Sequence, residues 1–365
     1  MAISKFINGF PIGQDGRLHI IKIPSIVVVG EGAIEKVPDV VEKLGIDRVL
    51  MVTGTTTWNI AGNLVFRLLK EQGVKTFVHY VKIPSMSAVE PAVSFYYENG
   101  GFDVVIGVGG GKNLDVGKVI AKKTNSLFIS VPTTSSHDGI ASPFASLIER
   151  KGKYSLIAAT PIAVIADTEI IANEPTRFFR AGVGDVIANI NAVEDWKLAR
   201  DVVGEYYGEY AANLAVMSAM HLIKNINDLL EDRVKAVRTL IEALISSGIA
   251  MGIAGSSRPG SGAEHLFSHA LDGLAKQPAL HGEQCALGTV MMLYYRGDDR
   301  WTEIRDYLLT LGLKLKASSL GLTQAEIIEA LIRAPSIRPD RYTILHHKPL
   351  TPYLAKQLAK ETGVI

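Results

Sequence analysis

Apolar residues fall in short dense runs over the first half of the chain and at helical spacing over the second. The runs SIVVVG (25–30), RVLMVTG (48–54), TFVHYVKI (76–83), DVVIGVGGG (103–111) and LFISVPTT (127–134) predict five strands. The segments between them, 33–45, 61–73, 89–100 and 113–124, predict helices, with Pro38 an irregularity near the start of the first. Near-continuous apolar strands alternating with helices predict a parallel sheet covered on both faces. Beyond about residue 172, long helical patterns take over at 182–201, 209–230 and 234–255. The Asn173-Glu174-Pro175 break separates the two regimes. The expected architecture is therefore an α/β domain with a Rossmann-like parallel sheet, residues 1–172, followed by an all-α domain, residues 173–365. An active site is expected in the cleft between them.

The 365 residues suit two domains, and a hydrophobic share of 47% is ample for their cores. That apolar share also leads to the expectation of a homo-oligomer, a homodimer or larger. With 38 basic against 37 acidic side chains, nothing calls for nucleic acid or an anionic membrane as partner. A single cysteine, Cys285, rules out an internal disulfide and a cysteine zinc cluster, and fits a cytoplasmic location. It reads as a small core residue rather than a nucleophile. The first residues lack the apolar core of a signal peptide. The apolar segment 245–255 is shorter than a bilayer span of about 20 residues and reads as buried helix, so no stable membrane insertion is expected.

Five short segments carry the chemistry. The fourth strand runs into Gly109, Gly110 and Gly111, then Lys112, Asn113, Leu114 and Asp115. Glycines let a backbone approach a pyrophosphate, and a helix N-terminus offers free N–H groups to the anion. The spacing is neither G-x-G-x-x-G nor a Walker A loop, and a plain tight turn is the alternative. PTTSSHDGIAS (132–142) places the hydroxyls of Thr133, Thr134, Ser135 and Ser136 directly after a strand. It reads as a phosphate- or ribose-binding loop or as a capped turn, with Asp138 as a hydroxyl-binding or capping residue. His265 and His269 stand four apart on a predicted helix and share a face. Glu264 precedes the pair, so this is not the H-E-x-x-H of a metalloprotease. His281 is expected at the start of a further helix, and Asp185, after Gly182 and Gly184, at the start of another. Three of these four groups would suit Zn²⁺ or Fe²⁺ with a position left open for substrate, and spacing does not choose which three. His19, His79 and His221 sit singly, and His346 and His347 read as surface.

GVGGGKNLDVGK, PTTSSHDGIAS, GVGD, EHLFSH and LHGE, in that order, resemble the archaeal sn-glycerol-1-phosphate dehydrogenases. These belong with glycerol dehydrogenases, iron-containing alcohol dehydrogenases and dehydroquinate synthase, so the resemblance implies a dehydroquinate synthase-like fold. It covers nearly the whole chain, and TTSSHDGIAS points to the glycerol-phosphate branch. It implies reversible reduction of dihydroxyacetone phosphate to sn-glycerol 1-phosphate with NAD(H) or NADP(H), supplying the backbone of archaeal ether lipids. Gly109 to Asp115, Thr133 to Ser136 and Ser142 would bind the dinucleotide. Asp185, His265 and His281 would hold one Zn²⁺ per chain, which would polarise the C2 carbonyl. Asp138, Asp185 and His269 would contact substrate, with His269 as first proton relay and Asp138 as second. Lys82, with no acidic residue before Glu90, favours acceptance of NADPH. Arg258 is one cationic candidate for the substrate phosphate or a surface loop residue. The rival readings are a polyol dehydrogenase without phosphate specificity, a dehydroquinate synthase-like cyclase, and a metal-free nucleotide-binding protein.

Overall fold

The computed structural model describes residues 13–14, 18–149 and 152–365. Strands β1 (Ile26–Gly30), β2 (Arg48–Thr53), β3 (Lys75–Tyr80), β4 (Val104–Gly109) and β5 (Leu127–Pro132) are joined by helices α1 (Val37–Lys43), α2 (Asn63–Glu71), α3 (Met86–Glu98) and α4 (Gly111–Thr124). A hairpin of β6 (Phe144–Glu149) and β7 (Gly152–Ile157) follows, then β8 (Ala163–Asp167). The sheet has the order β1-β8-β5-β4-β2-β3, all pairs parallel. Pro38 sits in the first turn of α1, where a missing N–H costs no helical bond.

The five expected strands are present, and two further features are not foreshadowed by the apolar runs. β8 inserts between β1 and β5, so the first strand of this sheet becomes an edge and the glycine-ended β4 lies inside it. The antiparallel hairpin packs on α4. Every residue of β4, β5 and β8 is buried, as a sheet covered on both faces requires. Val104, Ile106 and Val108 face α1 and α2, while Val105 faces the core shared with the helical half.

The helical half comprises α5 (Thr176–Ile187), α6 (Asn189–Val203), α7 (Glu209–Lys224), α8 (Arg233–Ala254), α9 (Ala263–Leu274), α10 (His281–Arg296), α11 (Arg300–Thr310), α12 (Gln324–Ile337) and α13 (Pro352–Glu361), with shorter turns between. The helix expected over 182–201 is interrupted at Ala188. α8 is long and apolar enough to cross a bilayer, but 72% of its apolar window is buried in the fold, as expected of a central helix. α9 packs against both α10 and α12, and α5 against α10.

Candidate active site

The carboxyl ends of β2, β4, β5 and β8 open into a cleft of about 770 Å³, where parallel α/β sheets bind ligands. Gly110, Gly111, Lys112, Asn113, Asp115, Thr133, Thr134 and Ser136 line it, with Glu174, Phe178 and His281 on the helical side. α4 starts at Gly111, so its first N–H groups open onto the cleft. Asn113 Oδ1 and Thr133 Oγ1 are buried there without a protein partner, which fits a polar ligand that completes them. The other expected cofactor residues lie elsewhere. Gly109 turns the chain at φ +144° behind the cleft. Leu114 is buried in the core beneath α4. Ser135 donates from N–H and hydroxyl to Glu174. Ser142 lines a smaller inner cavity.

That inner cavity, about 100 Å³, shares Asp115, His137, Ser146 and His281 with the cleft. Asp138, Asp185, His265 and His269 line it. Asp185 Oδ1 lies 3.7 Å from His265 Nε2 and 3.7 Å from His281 Nε2. The donor atoms of Asp185, His265, His281 and Cys285 all lie within 4.8 Å of one another. A tetrahedral ion with bonds of about 2.1 Å places its ligand atoms about 3.4 Å apart, so the group fits one divalent ion. His269 is outside this group, its ring centroid 5.6 Å from that of His281.

The rear hydrogen bonds settle which ring nitrogens face inward. His265 Nδ1 lies 2.7 Å from the Glu264 carboxylate, so it is the protonated nitrogen. Ser268 donates its only hydroxyl hydrogen to Gln284 Oε1 at 2.6 Å and accepts from His281 Nδ1 at 2.9 Å. Gln284 is oriented by its amide N–H bonds to Asp272 and to the Ala279 carbonyl. Both Nε2 atoms are thus turned toward Asp185, the orientation that metal-binding imidazoles require. Burial pushes the thiol of Cys285, the fourth atom of the group, up to about 11.

Asp185 is not at a helix start, contrary to expectation; it lies near the end of α5. The glycines before it serve close approach instead of capping. A Cβ on Gly182 would lie 1.8 Å from the Ser135 carbonyl oxygen, and one on Gly184 would lie 2.2 Å from that of Gly282. Asp185 Oδ2 accepts from the Asp138 N–H at 2.9 Å, and Asp138 Oδ2 accepts from the Ser247 hydroxyl at 2.9 Å. Burial and the adjacent Asp185 push the Asp138 carboxyl up to about 7.

Residues 28–175 match the iron-containing alcohol dehydrogenase family. A glycerol-1-phosphate dehydrogenase (NAD(P)+) of Staphylothermus marinus is 45% identical over 351 residues, covering 95% of this chain and 99% of that protein. One of Thermococcus sibiricus is 47% identical, covering 95% and 99%. The chain belongs to the glycerol-1-phosphate dehydrogenase family. A glycerol dehydrogenase from Schizosaccharomyces pombe shares the fold, with a TM-score of 0.79 at 21% identity over 96% of this chain and 91% of the other. The expected α/β plus all-α architecture is therefore that of glycerol dehydrogenases and iron-containing alcohol dehydrogenases.

For a glycerol-1-phosphate dehydrogenase family member, four neighbours of the site went unread in the sequence. Glu264 and Ser268 orient the two imidazoles. Glu264 adjoins His265 in sequence and Ser268 lies one turn beyond, which is the signal that would have found them. Burial opposes ionisation of Glu264, yet bonds from His265, Gly262 and Asn191 hold its carboxyl below the usual range. His137 lines both cavities, and Glu174 ties the hydroxyl loop to the helical half. Other expectations resolve structurally. His19, His79 and His221 bond to Ile253, Ala88 and Asn225. His346 is half-buried against Thr343 and the Pro335 carbonyl rather than at the surface. Arg258 is committed to Glu205 and the Tyr342 carbonyl, and is absent from both cavity linings. Lys82 is exposed outside the cleft, its carbonyl accepting from the cleft residue Lys112.

Proposed function

We propose that this chain catalyses the reversible reduction of dihydroxyacetone phosphate to sn-glycerol 1-phosphate with NADH or NADPH. The carrying observation is a cluster fit for a divalent ion that shares walls with a dinucleotide-sized cleft. The names of relatives at about 45% identity support the same reaction. Asp185, His265 and His281 hold one Zn²⁺ in this reading. Bound there, the ion supplies a Lewis acid for the C2 carbonyl oxygen, and the nicotinamide supplies the hydride. The N–H groups at the start of α4, with Asn113, Thr133, Thr134 and Ser136, hold the dinucleotide phosphates and ribose. Asp138 and His269 contact substrate hydroxyls. His269 brings the proton that completes the alcohol and Asp138 is the second group on that path. The reading assigns cofactor binding to residues 1–172, metal and substrate binding to 173–365, a cytoplasmic homo-oligomer, and a role in ether-lipid backbone synthesis.

Anaerobic metal analysis and a spectrophotometric assay with dihydroxyacetone phosphate and both reduced cofactors test the proposal. Expected are about one Zn²⁺ per chain and oxidation of NADH or NADPH that depends on dihydroxyacetone phosphate. No oxidation of either cofactor overturns it. Equal use of unphosphorylated dihydroxyacetone would favour a polyol dehydrogenase. His269→Ala should lower turnover about 100-fold with metal content unchanged, and loss of the metal would make His269 a ligand.

A further inference from the structure

The inner cavity holds imidazoles and carboxylates on the side of the candidate metal cluster, and Arg338 supplies its guanidinium. Among the described residues lining that cavity there is no other lysine or arginine. Pro339 follows Arg338 and disfavours helical backbone before it, so α12 ends at Ile337 and Arg338 turns to φ −140° and ψ 87°. Its Nη2 reaches the Ser155 carbonyl of β7 at 3.4 Å, so the side chain crosses from the helical half to the hairpin. That one long bond leaves most of the guanidinium's donors unused. No carboxylate of the described residues lies within ion-pair distance of it. Asp340 favours its charge only from further away.

Its two basic neighbours are occupied. Arg258 is clamped by Glu205. Arg341 donates to the Ser261 carbonyl and to Ser257 Oγ, and both serines line the cavity. Burial first, then repulsion from Arg338 and Arg258, pushes Arg341 down to about 9 against the opposing pull of Glu205 and Glu264. Arg338 is thus the arginine of the three with donors left for a ligand, and a planar guanidinium matches phosphate geometry in bidentate fashion.

We propose that Arg338 holds the substrate's phosphate group and sets the preference for a phosphorylated three-carbon carbonyl compound over its neutral counterpart. The inference rests on the proposed reaction and adds the residue that gives it phosphate specificity.

The test compares wild type, Arg338→Gln and Arg338→Lys on dihydroxyacetone phosphate and on dihydroxyacetone, with NADPH affinity and metal content measured alongside. Arg338→Gln should lower kcat/KM for the phosphate ester about 100-fold, chiefly through KM. The neutral substrate, NADPH affinity and metal content should stay within about threefold of wild type. Arg338→Lys should recover part of the loss, since it keeps the charge and loses the fork. If Arg338→Gln does not fold, a rise in KM for the phosphate ester alone in Arg338→Lys still supports the proposal. Equal losses on both substrates, or none on the ester, overturn it. A wild type without phosphate preference defeats the proposed function and this inference together. A preference retained by Arg338→Gln defeats this inference alone.

Discussion

The floor of the cleft and its helical wall are built on opposite plans. The floor's glycine turn and helix start come from one stretch, residues 110–115, and offer backbone N–H groups. The wall's donor cluster takes Asp185 from α5, His265 from α9 and His281 from α10, each a side chain. A site made of backbone is damaged by adding atoms. A site made of side chains is damaged by removing them or by loosening what stands behind them.

The largest expected effect is on the wall. Asp185→Asn should remove bound metal and lower kcat/KM by about 1,000-fold or more, while NADPH affinity, read by fluorescence titration, stays near wild type. Loss of NADPH binding in this variant would break the separation of floor from wall. Next comes the seam between them. Gly182→Ala drives a Cβ toward the Ser135 carbonyl oxygen, 1.8 Å away. It should cost about 3 kcal/mol of stability, and an unchanged melting temperature would show that the halves can shift apart there.

Glu174 fastens the same seam and adds a pH dependence. Burial, opposed by Ser135 and Arg233, pushes its carboxyl up from 4.5 to about 7. The folded state therefore holds this proton more tightly than the unfolded chain. The associated stability is fully present below about pH 4.5 and is lost as pH rises through about 7. Glu174→Gln should remove about 3 kcal/mol of that decline, read from denaturant midpoints between about pH 4.5 and 8. A wild-type slope in the variant would refute the assignment. The smallest effect is on the floor. Gly111→Ala meets His137 Nε2 at 1.8 Å, a side chain that can turn away at the cost of its bond from the Gly139 N–H. NADPH should bind about tenfold more weakly, and adding His137→Ala should restore part of the affinity. Metal content should not change; if it falls, the two regions are not independent.

The floor was the legible part. An apolar run ending in glycines, followed by helical spacing, is a local signal, and β4 and α4 carry it in adjacent residues. The four-residue spacing of His265 and His269 placed both on one helix, but only distances in the fold group His265 with Asp185 and His281. β8 was hidden because AVIAD flanks its two β-branched residues with alanine, unlike the equally short but valine-rich β1, and so lacks a dense strand signal. The hairpin was hidden because the charged stretch between its two apolar runs breaks their alternation, and its pairing is antiparallel beside a parallel pattern. Asp185 was misplaced because glycines that permit close packing look like glycines that end helices. Arg338 acquires its position only when α12, β7 and the inner cavity come together.

α5 touches the hydroxyl loop through Gly182 and the start of α10 through Gly184, with no side chain between backbone and backbone at either contact. Asp185 lies three residues beyond the first contact and His281 directly precedes Gly282 at the second. Any shift of Thr134 or Ser136 would reach the spacing between two of the three donor residues through these nearly incompressible contacts. Thermodynamics then demands symmetry. Whatever factor metal loading applies to dinucleotide affinity, dinucleotide loading must apply to metal affinity. The independence predicted for floor and wall sets that factor near one, and α5 is the element through which any departure from one would pass.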